Sequence, residues 1–278
     1  MQSTMQTVVI KLGGGRGIDP HPVCDDIASL VQDGVRIILV HGGSHETNEM
    51  SERLGHPPEF ITSPSGHTSR RTDRRTLDIF QMVYCGRVNK GIVERLQSLG
   101  VDAVGLSGID GRLWSGERKT AIRALEPDGR TRIIRDDLSG RVTAVNTSLL
   151  DLLFDAGHTP VLTPPAIAMT GEAINVDADR AAAMTAAAMR ADALVLLSNI
   201  PGLLRDPADP GSLIRRVEPS APQQAREAAV GRMKNKVLGA EEAIAGGVGR
   251  VVIADAGVAS PVRAALAGEG TLFESVPA

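Results

Sequence analysis

The sequence predicts an α/β fold built on a mainly parallel sheet, and three stretches carry that prediction. Runs of mostly valine, isoleucine and leucine lie within residues 8–12, 36–40 and 193–197, and such runs are typical of strands buried on both faces. Segments with apolar residues at helical spacing separate them. Strands that alternate with helices form right-handed βαβ units, and these units assemble a parallel sheet.

The first strand leads into a glycine loop beside a lysine. Lys11 ends the strand, and Gly13, Gly14 and Gly15 follow one residue later. Glycine lets backbone N–H groups approach an anion closely, and the Lys11 ammonium can reach the same anion. The order of residues differs from a Walker loop, and Ile18 excludes a G-x-G-x-x-G pattern. The loop is therefore either a phosphate-binding loop or an ordinary strand–helix turn beside a solvated lysine.

A second glycine turn follows the second strand. Residues 36–40 run into His41, Gly42, Gly43 and Ser44. In open parallel sheets, ligands bind beyond the carboxyl ends of the strands, so both glycine turns are expected at the same edge. Their predicted proximity favours the phosphate-binding interpretation. We interpret His41 as structural.

Turn and capping residues predict several further elements. Asp19 is expected to cap a helix with Pro20 as its first residue, and Asn146 to cap another. The pattern also predicts the following segments: a loop over 56–72, a long helix from near Thr72 to Leu96, β-hairpins within 119–145 around an Asp128–Gly129 turn, a helix from about Gly231, a strand over 250–254 and an edge strand over 271–273.

Three polar residues alternate just before an alanine-rich helix. In an extended segment Asn175, Asp177 and Asp179 would face the same way. Polar side chains beside apolar chain cost free energy unless they have partners. A helix-capping role would explain one of the three, so the other two indicate a site.

Composition narrows the class of protein. The net charge is −3 with 42% apolar and 23% charged residues, which does not suggest a protein that binds nucleic acid or a membrane surface. Cys24 and Cys85 are far apart and belong to no Cys/His cluster, which disfavours a disulfide framework or a zinc site. No apolar run is long enough to span a bilayer, and residues 1–6 lack a signal-peptide pattern. We expect a cytoplasmic protein, and Met5 is an alternative start.

The motifs together resemble the amino acid kinase family, closely its acetylglutamate kinase branch, over nearly the whole chain. The resemblance rests on four motifs in the family's order: Lys11–Gly14, His41–Ser44, Asn175–Asp179, and Gly231 with Met233 and Lys236. It implies one amino acid kinase domain over 1–278 with a carbamate kinase-like fold, a three-layer αβα open sandwich. The substrate side would cover about 1–170, and the ATP side about 171–278.

The resemblance also implies roles for these residues. Lys11 and Lys236 would neutralise charge on the transferring phosphoryl group, and Asp179 would orient both lysines. The implied phosphate-binding positions are Gly13, Gly14 and Gly43, and the implied substrate-binding positions are Gly42, Gly43, Ser44, Arg70 and Asn175. The implied ATP-binding positions are Lys11, Ser198, Pro201, Gly202, Gly231, Met233 and Lys236. ATP and Mg²⁺ are the expected cofactors, with Mg²⁺ held mainly by the phosphates and no protein metal site.

A narrower resemblance involves the kinases of carrier-bound lysine biosynthesis, the LysZ type. It rests on four stretches, residues 41–48, 55–58, 69–73 and 82–86, and the first of them has Ser44 where acetylglutamate kinases usually carry a third glycine. It implies phosphorylation of the side-chain carboxylate of α-aminoadipate, or of glutamate, to an acyl phosphate. The amino group would be blocked by the C-terminal glutamate of a small acidic carrier protein (LysW-like). A homodimer or higher oligomer is expected by the same resemblance.

Three alternatives remain open from the sequence. The first is an N-acetylglutamate kinase of arginine biosynthesis, which acts on free substrate. The second, a nicotinamide dehydrogenase, is disfavoured because the G-x-G-x-x-G pattern is missing. The third is a non-catalytic amino acid sensor, which would not need Lys11, Asp179 and Lys236 together.

An acidic carrier requires a basic surface on the kinase. A candidate cluster comprises Arg70, Arg71, Arg74, Arg75, Arg87 and Lys90. With a helix start near Thr72, Arg71, Arg74 and Arg75 would share one helix face, at positions i, i+3 and i+4. The alternative is an ordinary solvated helix face.

Overall fold

The structure, a computed structural model, describes residues 6–64, 66, 68–126, 128–218 and 222–274. Most of its strands belong to one eleven-stranded sheet, and two short hairpins lie beside it. The strands are β1 Thr7–Leu12, β2 Arg36–His41, β3 Phe60–Thr62, β4 Thr68–Arg70, β5 Ala103–Gly108, β6 Trp114–Arg118, β7 Ile122–Leu125, β8 Thr131–Ile134, β9 Gly140–Val145, β10 Thr159–Ala168, β11 Ala173–Ile174, β12 Ala193–Ser198, β13 Arg216–Val217, β14 Arg250–Asp255 and β15 Thr271–Glu274.

Helices connect the strands in the alternation that the sequence predicts. The α-helices are α1 His21–Gln32, α2 Ser44–Arg53, α3 Arg74–Gln81, α4 Asn89–Ser98, α5 Thr147–Asp155, α6 Ala178–Ala188, α7 Pro222–Ala228, α8 Met233–Ala245 and α9 Pro261–Leu266. A π-helical turn, Met82–Val88, joins α3 to α4, so the predicted long helix is confirmed as one nearly continuous unit. None of the described helices is both long and apolar enough to cross a bilayer.

The central sheet is mainly parallel, which confirms the predicted α/β class. The order β14–β12–β1–β2–β10–β5 contains only parallel pairs. Antiparallel pairing occurs between β14 and β15 near one edge and between β6 and β9 at the other. The strand β13 pairs with β15, so the predicted edge position of residues 271–273 is wrong and β13 forms that edge.

Two apolar cores cover the two faces of this sheet, which gives the three-layer αβα arrangement. On one face Val8 and Ile10 of β1 pack with residues of α1, α4 and α9. On the other face Val9 packs with residues of α5, α6 and α8. Alternate residues of a buried strand point to opposite faces, so β1 contributes to both cores.

Three local predictions need correction. The predicted loop over 56–72 contains the β3–β4 hairpin. The long helix begins at Arg74 rather than near Thr72, because Asp73 is its N-cap and accepts a hydrogen bond from the Thr76 N–H. Helix α1 begins at His21, so Pro20 is the cap residue, and Asp19 accepts the His21 N–H at 3.0 Å.

Two other local predictions are confirmed, one of them in part. Asn146 caps α5 and accepts the Leu149 N–H. The β7–β8 hairpin turns at Asp128 and Gly129, where Gly129 has φ +81. The strand β9 forms no second hairpin there, because it pairs with β6.

Candidate active site

The two glycine turns meet where β1 and β2 end side by side. A Cβ placed on Gly14 would lie 2.0 Å from the Gly43 nitrogen, so only glycine fits this position. The Gly14 carbonyl accepts the His45 N–H at 2.9 Å and the Ser44 hydroxyl at 2.8 Å. These bonds fix the first loop against the start of α2, as the shared sheet edge predicts.

The backbone of Gly13 takes part in the sheet. The Gly13 N–H donates to the Leu197 carbonyl at 3.0 Å, so the implied phosphate-binding role of Gly13 stays a prediction that does not use this N–H. Gly13 extends the pairing of β1 with β12, and this contact holds the loop over the end of that strand. The implied roles of Gly14 and Gly43 stay predictions.

Lys11, Asp179 and Lys236 lie together below the glycine turns. The Asp179 carboxylate is 2.7 Å from the Lys11 Nζ, and it accepts from the Lys236 Nζ at 3.0 Å on each oxygen. All three residues are buried, with exposed fractions of 6%, 6% and 7%. Lys11 comes from β1, Asp179 from the first turn of α6 and Lys236 from the first turn of α8.

The charges in this cluster favour an ionised Asp179. Burial alone would raise the pKa of Asp179, but Lys11 and Lys236 outweigh burial and hold that pKa well below its ordinary value. Burial lowers the pKa of Lys236, and Asp179 opposes that change. The cluster contains two lysines and one carboxylate, so it offers excess positive charge for an anion.

Asn175, Asp177 and Asp179 were predicted to face the same way along one extended segment, and this prediction is wrong for Asp179. Strand β11 ends at Ile174 and α6 begins at Ala178, so Asp179 lies on the helix. Asp177 is the N-cap and accepts the Arg180 N–H at 3.0 Å and the Asn235 side-chain amide at 2.7 Å. Burial and the neighbouring Asp179 raise the pKa of Asp177. Each polar residue therefore has its own partners.

Arg70 lies on the other side of the glycine turns. Its Nη2 donates to the Ser44 carbonyl at 3.2 Å and to the Asn48 side-chain oxygen, while its buried Nη1 has no hydrogen-bond partner among the described residues. Burial lowers the pKa of Arg70, and the charge of Arg232 adds to that lowering. A buried guanidinium edge without a partner is suited to a carboxylate ligand.

A chain of hydrogen bonds places Asn175 next to the Arg70 strand. The Asn175 amide donates to the Thr72 hydroxyl at 3.0 Å. The Thr72 N–H donates to the buried Asp137 carboxylate at 2.8 Å, and the Thr72 hydroxyl donates to the Arg70 carbonyl at 3.3 Å. The structure thus brings Asn175 and Arg70 to one region although 105 positions separate them in the sequence.

The implied nucleotide positions surround the end of β12. The Ser198 hydroxyl is buried and has no hydrogen-bond partner, so it could serve a ligand. Gly202 has φ +154, and a Cβ there would lie 2.6 Å from the Thr271 hydroxyl, which gives this glycine a packing role as well. Gly231 has φ +54 just before α8, and Met233 is buried within it. The nucleotide-binding roles of these residues and Pro201 stay predictions.

His41 is structural, as its sequence context predicts. It is 1% exposed, its Nδ1 donates to the Gly42 carbonyl at 2.9 Å, and its Nε2 accepts from the Asn89 amide at 3.1 Å. Burial lowers its pKa to about 4. A neutral imidazole satisfies both bonds.

Two of the six residues in the predicted basic cluster, Arg71 and Arg74, are paired with carboxylates. Arg71 precedes α3 and forms ion pairs with Glu59 at 3.2 Å and Asp136 at 2.7 Å, so the prediction that it shares a helix face is wrong. Arg74 forms an ion pair with Asp78. The remaining exposed cations of this segment are Arg75, whose guanidinium donates to the Leu54 carbonyl, Arg87 and Lys90.

Four functional-site neighbours were missed by the sequence reasoning. These are Asn48, Thr72, Asn235 and Arg232. Asn48 lies one helical turn after Ser44, and Asn235 and Arg232 lie inside the Gly-x-Met-x-x-Lys segment. Their positions next to or inside the motifs could have indicated that they lie near the site. Among the described residues no group of three or more His, Cys, Asp or Glu residues could hold a metal ion.

Comparisons with known proteins agree with this geometry. The chain is 60% identical over 265 residues to a protein named [LysW]-aminoadipate kinase from Deinococcus radiodurans, which covers 95% of this chain and 90% of that protein. It is 54% identical to a [LysW]-aminoadipate kinase from Thermus thermophilus, covering 95% and 99%. An acetylglutamate kinase from Methanopyrus kandleri is 38% identical over 268 residues, covering 95% and 98%.

A solved structure supports the fold. N-acetylglutamate synthase from Neisseria gonorrhoeae, solved with coenzyme A and N-acetyl-glutamate, superposes on 98% of this chain with a TM-score of 0.78 at 24% identity. The match spans 60% of the length of that synthase chain. The model of the amino acid kinase family matches residues 6–255. With this match, the relatives and the Lys11–Asp179–Lys236 cluster in agreement, the chain belongs to the amino acid kinase family.

Proposed function

We propose that this kinase transfers the γ-phosphoryl group of ATP to the side-chain carboxylate of α-aminoadipate, or of glutamate, while a small acidic LysW-like carrier protein blocks the amino group. The product is an acyl phosphate in lysine or arginine biosynthesis. The observation that carries the chemistry is the buried Lys11–Asp179–Lys236 cluster beneath the paired glycine turns. The names of the two relatives at 60% and 54% identity support the acceptor.

Charge neutralisation is the main task of the cluster. Phosphoryl transfer depends on positioning and on stabilising charge that spreads over the phosphoryl oxygens. Lys11 and Lys236 supply two ammonium groups, and Asp179 holds both within 3.0 Å of its carboxylate. An acceptor carboxylate is ionised at neutral pH, so no strong general base is needed. Asp179 stays ionised and hydrogen-bonded, which makes it a positioning residue.

The residues fit a nucleotide with its phosphates toward the glycine turns. At the end of β12, the Ser198 hydroxyl has no partner among the described residues and can bind a phosphate oxygen. At the ends of β1 and β2, Gly14 and Gly43 lie close together, and their backbone can approach the phosphates. Bound Mg²⁺ would neutralise phosphate oxygens of the nucleotide. The Asp177 carboxylate, close to this cluster in the sequence, already accepts two hydrogen bonds, and we assign the protein no metal cage.

Arg70 and Asn175 would hold the main-chain end of the acceptor. Arg70 offers its unpaired Nη1 to the α-carboxylate, and Asn175 is fixed beside it through Thr72. The carrier would approach this side, which we assign to the lobe of about residues 1–170. We further propose a cytoplasmic homodimer or higher oligomer that binds neither nucleic acid nor membranes.

The second candidate is an N-acetylglutamate kinase acting on free substrate. The relative from Methanopyrus kandleri favours it at 38% identity, below the identity of the two aminoadipate kinases. A non-catalytic sensor is disfavoured, because a sensor has no use for two buried lysines around one carboxylate.

Trapping of the product tests the proposal. The protein, ATP and Mg²⁺ are incubated with carrier-bound aminoadipate, carrier-bound glutamate or free N-acetylglutamate, and hydroxylamine converts any acyl phosphate to a hydroxamate. We expect hydroxamate from a carrier-bound acceptor at much higher kcat/KM than from N-acetylglutamate. Efficient use of N-acetylglutamate without any response to the carrier would assign the second candidate, and transfer to a hydroxyl group would exclude both.

A further inference from the structure

Two arginines from distant parts of the chain converge on Ser44. Arg70 donates to the Ser44 carbonyl at 3.2 Å. Arg232, at the cap of α8, donates through its Nη1 to the Ser44 hydroxyl at 3.4 Å, although 188 residues separate the two. One guanidinium therefore comes from the predicted substrate lobe and the other from the predicted ATP lobe. Ser44 in turn donates to the Gly14 carbonyl, so this pair lies beside the glycine turns.

Neither charge is compensated. Among the residues that the structure describes, no carboxylate oxygen lies within 4.0 Å of either guanidinium. Several other arginines differ in this respect, for example Arg71 with Asp136 at 2.7 Å and Arg180 with Glu242 at 2.6 Å. Two like charges at one residue repel, and a ligand with negative charge at this position relieves that repulsion.

The expected acceptor has too little negative charge to pair with both arginines if its blocking group is neutral. Its side-chain carboxylate must face Lys11 and the glycine turns, which leaves one α-carboxylate for Arg70. A blocking group such as acetyl adds no further carboxylate. A glutamyl blocking group adds one carboxylate, because glutamate has two carboxyl groups and only one of them can form the amide.

We infer that Arg232 is a specificity-determining residue that binds a second carboxylate, carried by the blocking group, while Arg70 binds the α-carboxylate of the acceptor. This inference rests on the proposed function. It gives the site a physical means to distinguish a glutamyl-blocked acceptor from an N-acetylated one. The alternative partner for Arg232 is the transferring phosphoryl group. The geometry favours the carboxylate, because Arg232 shares Ser44 with Arg70 and has no contact with Lys11, Asp179 or Lys236 in the described part of the chain.

A matched pair of small acceptors isolates the second carboxylate. N-glutaryl-α-aminoadipate places a carboxylate three carbons from the amide, as a glutamyl group does through either linkage. The second probe carries a terminal carboxamide in place of this carboxylate, so it has nearly the same shape but no negative charge. Phosphorylation of both probes is followed as hydroxamate, and their binding to the complex with a non-hydrolysable ATP analogue is followed by calorimetry.

The wild-type protein should prefer the carboxylate probe by roughly 10-fold or more in KM and Kd, as expected for one charge-assisted pair. Arg232→Ala should reduce this preference to about twofold or less, through a rise in KM and Kd that is larger for the carboxylate probe than for the carboxamide probe. Arg232→Lys should keep part of the preference. The control Lys234→Ala removes an exposed cation from the same helix and should keep it in full. A thermal melt checks that each variant folds.

Two results would overturn the inference. One is that the wild type and Arg232→Ala prefer the carboxylate probe equally, or that the wild type has no preference for it. The other is a loss of kcat or of ATP affinity that is the same with both probes, which would assign Arg232 to the phosphoryl group. The proposed function fails separately, if carrier-bound aminoadipate yields no hydroxamate, and the calorimetric comparison then still decides the role of Arg232.

Discussion

At the scale of single residues, Asp179 decides how the two buried lysines, Lys11 and Lys236, are held. Its carboxylate bonds both ammonium groups, and all three residues are buried. A buried charge without a partner costs several kcal/mol, so each member of this cluster depends on the others. The cluster is therefore one unit for stability, and under the proposed function it is also one unit for phosphoryl transfer.

Substitutions in this cluster should separate its effect on kcat from its effect on the free energy of unfolding. Lys11→Ala or Lys236→Ala should lower kcat by roughly 10²–10³, about 3–4 kcal/mol of lost transition-state stabilisation. Asp179→Asn should lower kcat as well, and it should reduce the free energy of unfolding by about 3–5 kcal/mol because two buried ammonium groups lose their anion. Steady-state kinetics and urea unfolding measure these quantities. An unchanged kcat with only a raised KM for ATP in all three variants would contradict the assigned roles.

The buried His41 predicts a pH dependence of stability. Its pKa is about 4 in the folded protein against 6.5 for an unperturbed histidine, so the unfolded chain binds more protons between these limits. Stability from this residue is therefore complete above about pH 6.5 and decreases as the pH falls towards 4. Between pH 7 and pH 5 the loss should be about 2 kcal/mol. Urea unfolding of wild type and His41→Asn should show a smaller pH slope in the variant, and equal slopes would exclude His41 as the cause.

At the scale of elements, the first glycine loop requires glycine at position 14 and has room for a side chain at position 15. A Cβ on Gly14 would meet backbone atoms of Gly42 and Gly43 at 2.0–2.6 Å, and backbone cannot move as a flexible side chain can. A Cβ on Gly15 would meet only the Ile18 Cδ1, at an ordinary 3.7 Å. The two positions therefore form a matched pair.

We expect Gly14→Ala to abolish activity and to lower the melting temperature, because the two strand ends must separate. Gly15→Ala should keep the activity within about twofold, since the new methyl group meets no backbone. Activity assays and thermal melts of both variants test this. Comparable losses in both would indicate that backbone freedom, rather than the close approach at Gly14, constrains the loop.

The pairing of α6 with α8 explains how the lysine reaches its aspartate. The Asp177–Asn235 bond joins the starts of both helices at 2.7 Å, and the Arg180–Glu242 pair joins them further along at 2.6 Å. Gly239 allows close approach, since a Cβ there would lie 3.3 Å from the Asp179 carbonyl. These three contacts fix the register in which Lys236 faces Asp179.

At the scale of the whole molecule, the sheet collects residues from distant segments at one edge. The ends of β1, β2 and β12 bring Gly14, Gly43 and Ser198 together. The exposed charges around this edge decide how an acidic carrier would approach. Arg75 and Arg87 remain exposed on the α3–α4 unit, while Arg71 and Arg74 have carboxylate partners.

Electrostatic steering by these residues predicts a salt effect. The kcat/KM for the carrier-bound acceptor should fall as the salt concentration rises, because opposite surface charges speed association. Arg75→Glu should lower kcat/KM for the carrier-bound acceptor several-fold and leave the KM for ATP unchanged. The control Arg190→Glu makes the same charge change in the exposed turn between α6 and β12, at the opposite end of β12 from the glycine turns, and should have little effect. A salt-independent kcat/KM would show that charge does not guide the carrier.

The sequence by itself determined the framework and most of the site. The apolar runs of β1, β2 and β12 and their glycine turns are local patterns, and the edge at which they meet follows from the rules of parallel sheets. Motif order then identified Lys11, Asp179 and Lys236, which the structure places in direct contact.

Only the tertiary structure decided which arginine lies beside the glycine turns. Arg70 and Arg71 are neighbours, but Arg70 ends β4 and bonds to Ser44, whereas Arg71 points to Glu59 and Asp136. This distinction depends on the β3–β4 hairpin, which a polar, proline-rich stretch concealed. The contact of Arg232 with Ser44 likewise joins residues 188 positions apart. Local propensity reports on neighbours in the chain, so contacts that depend on packing between distant elements were decided by the fold.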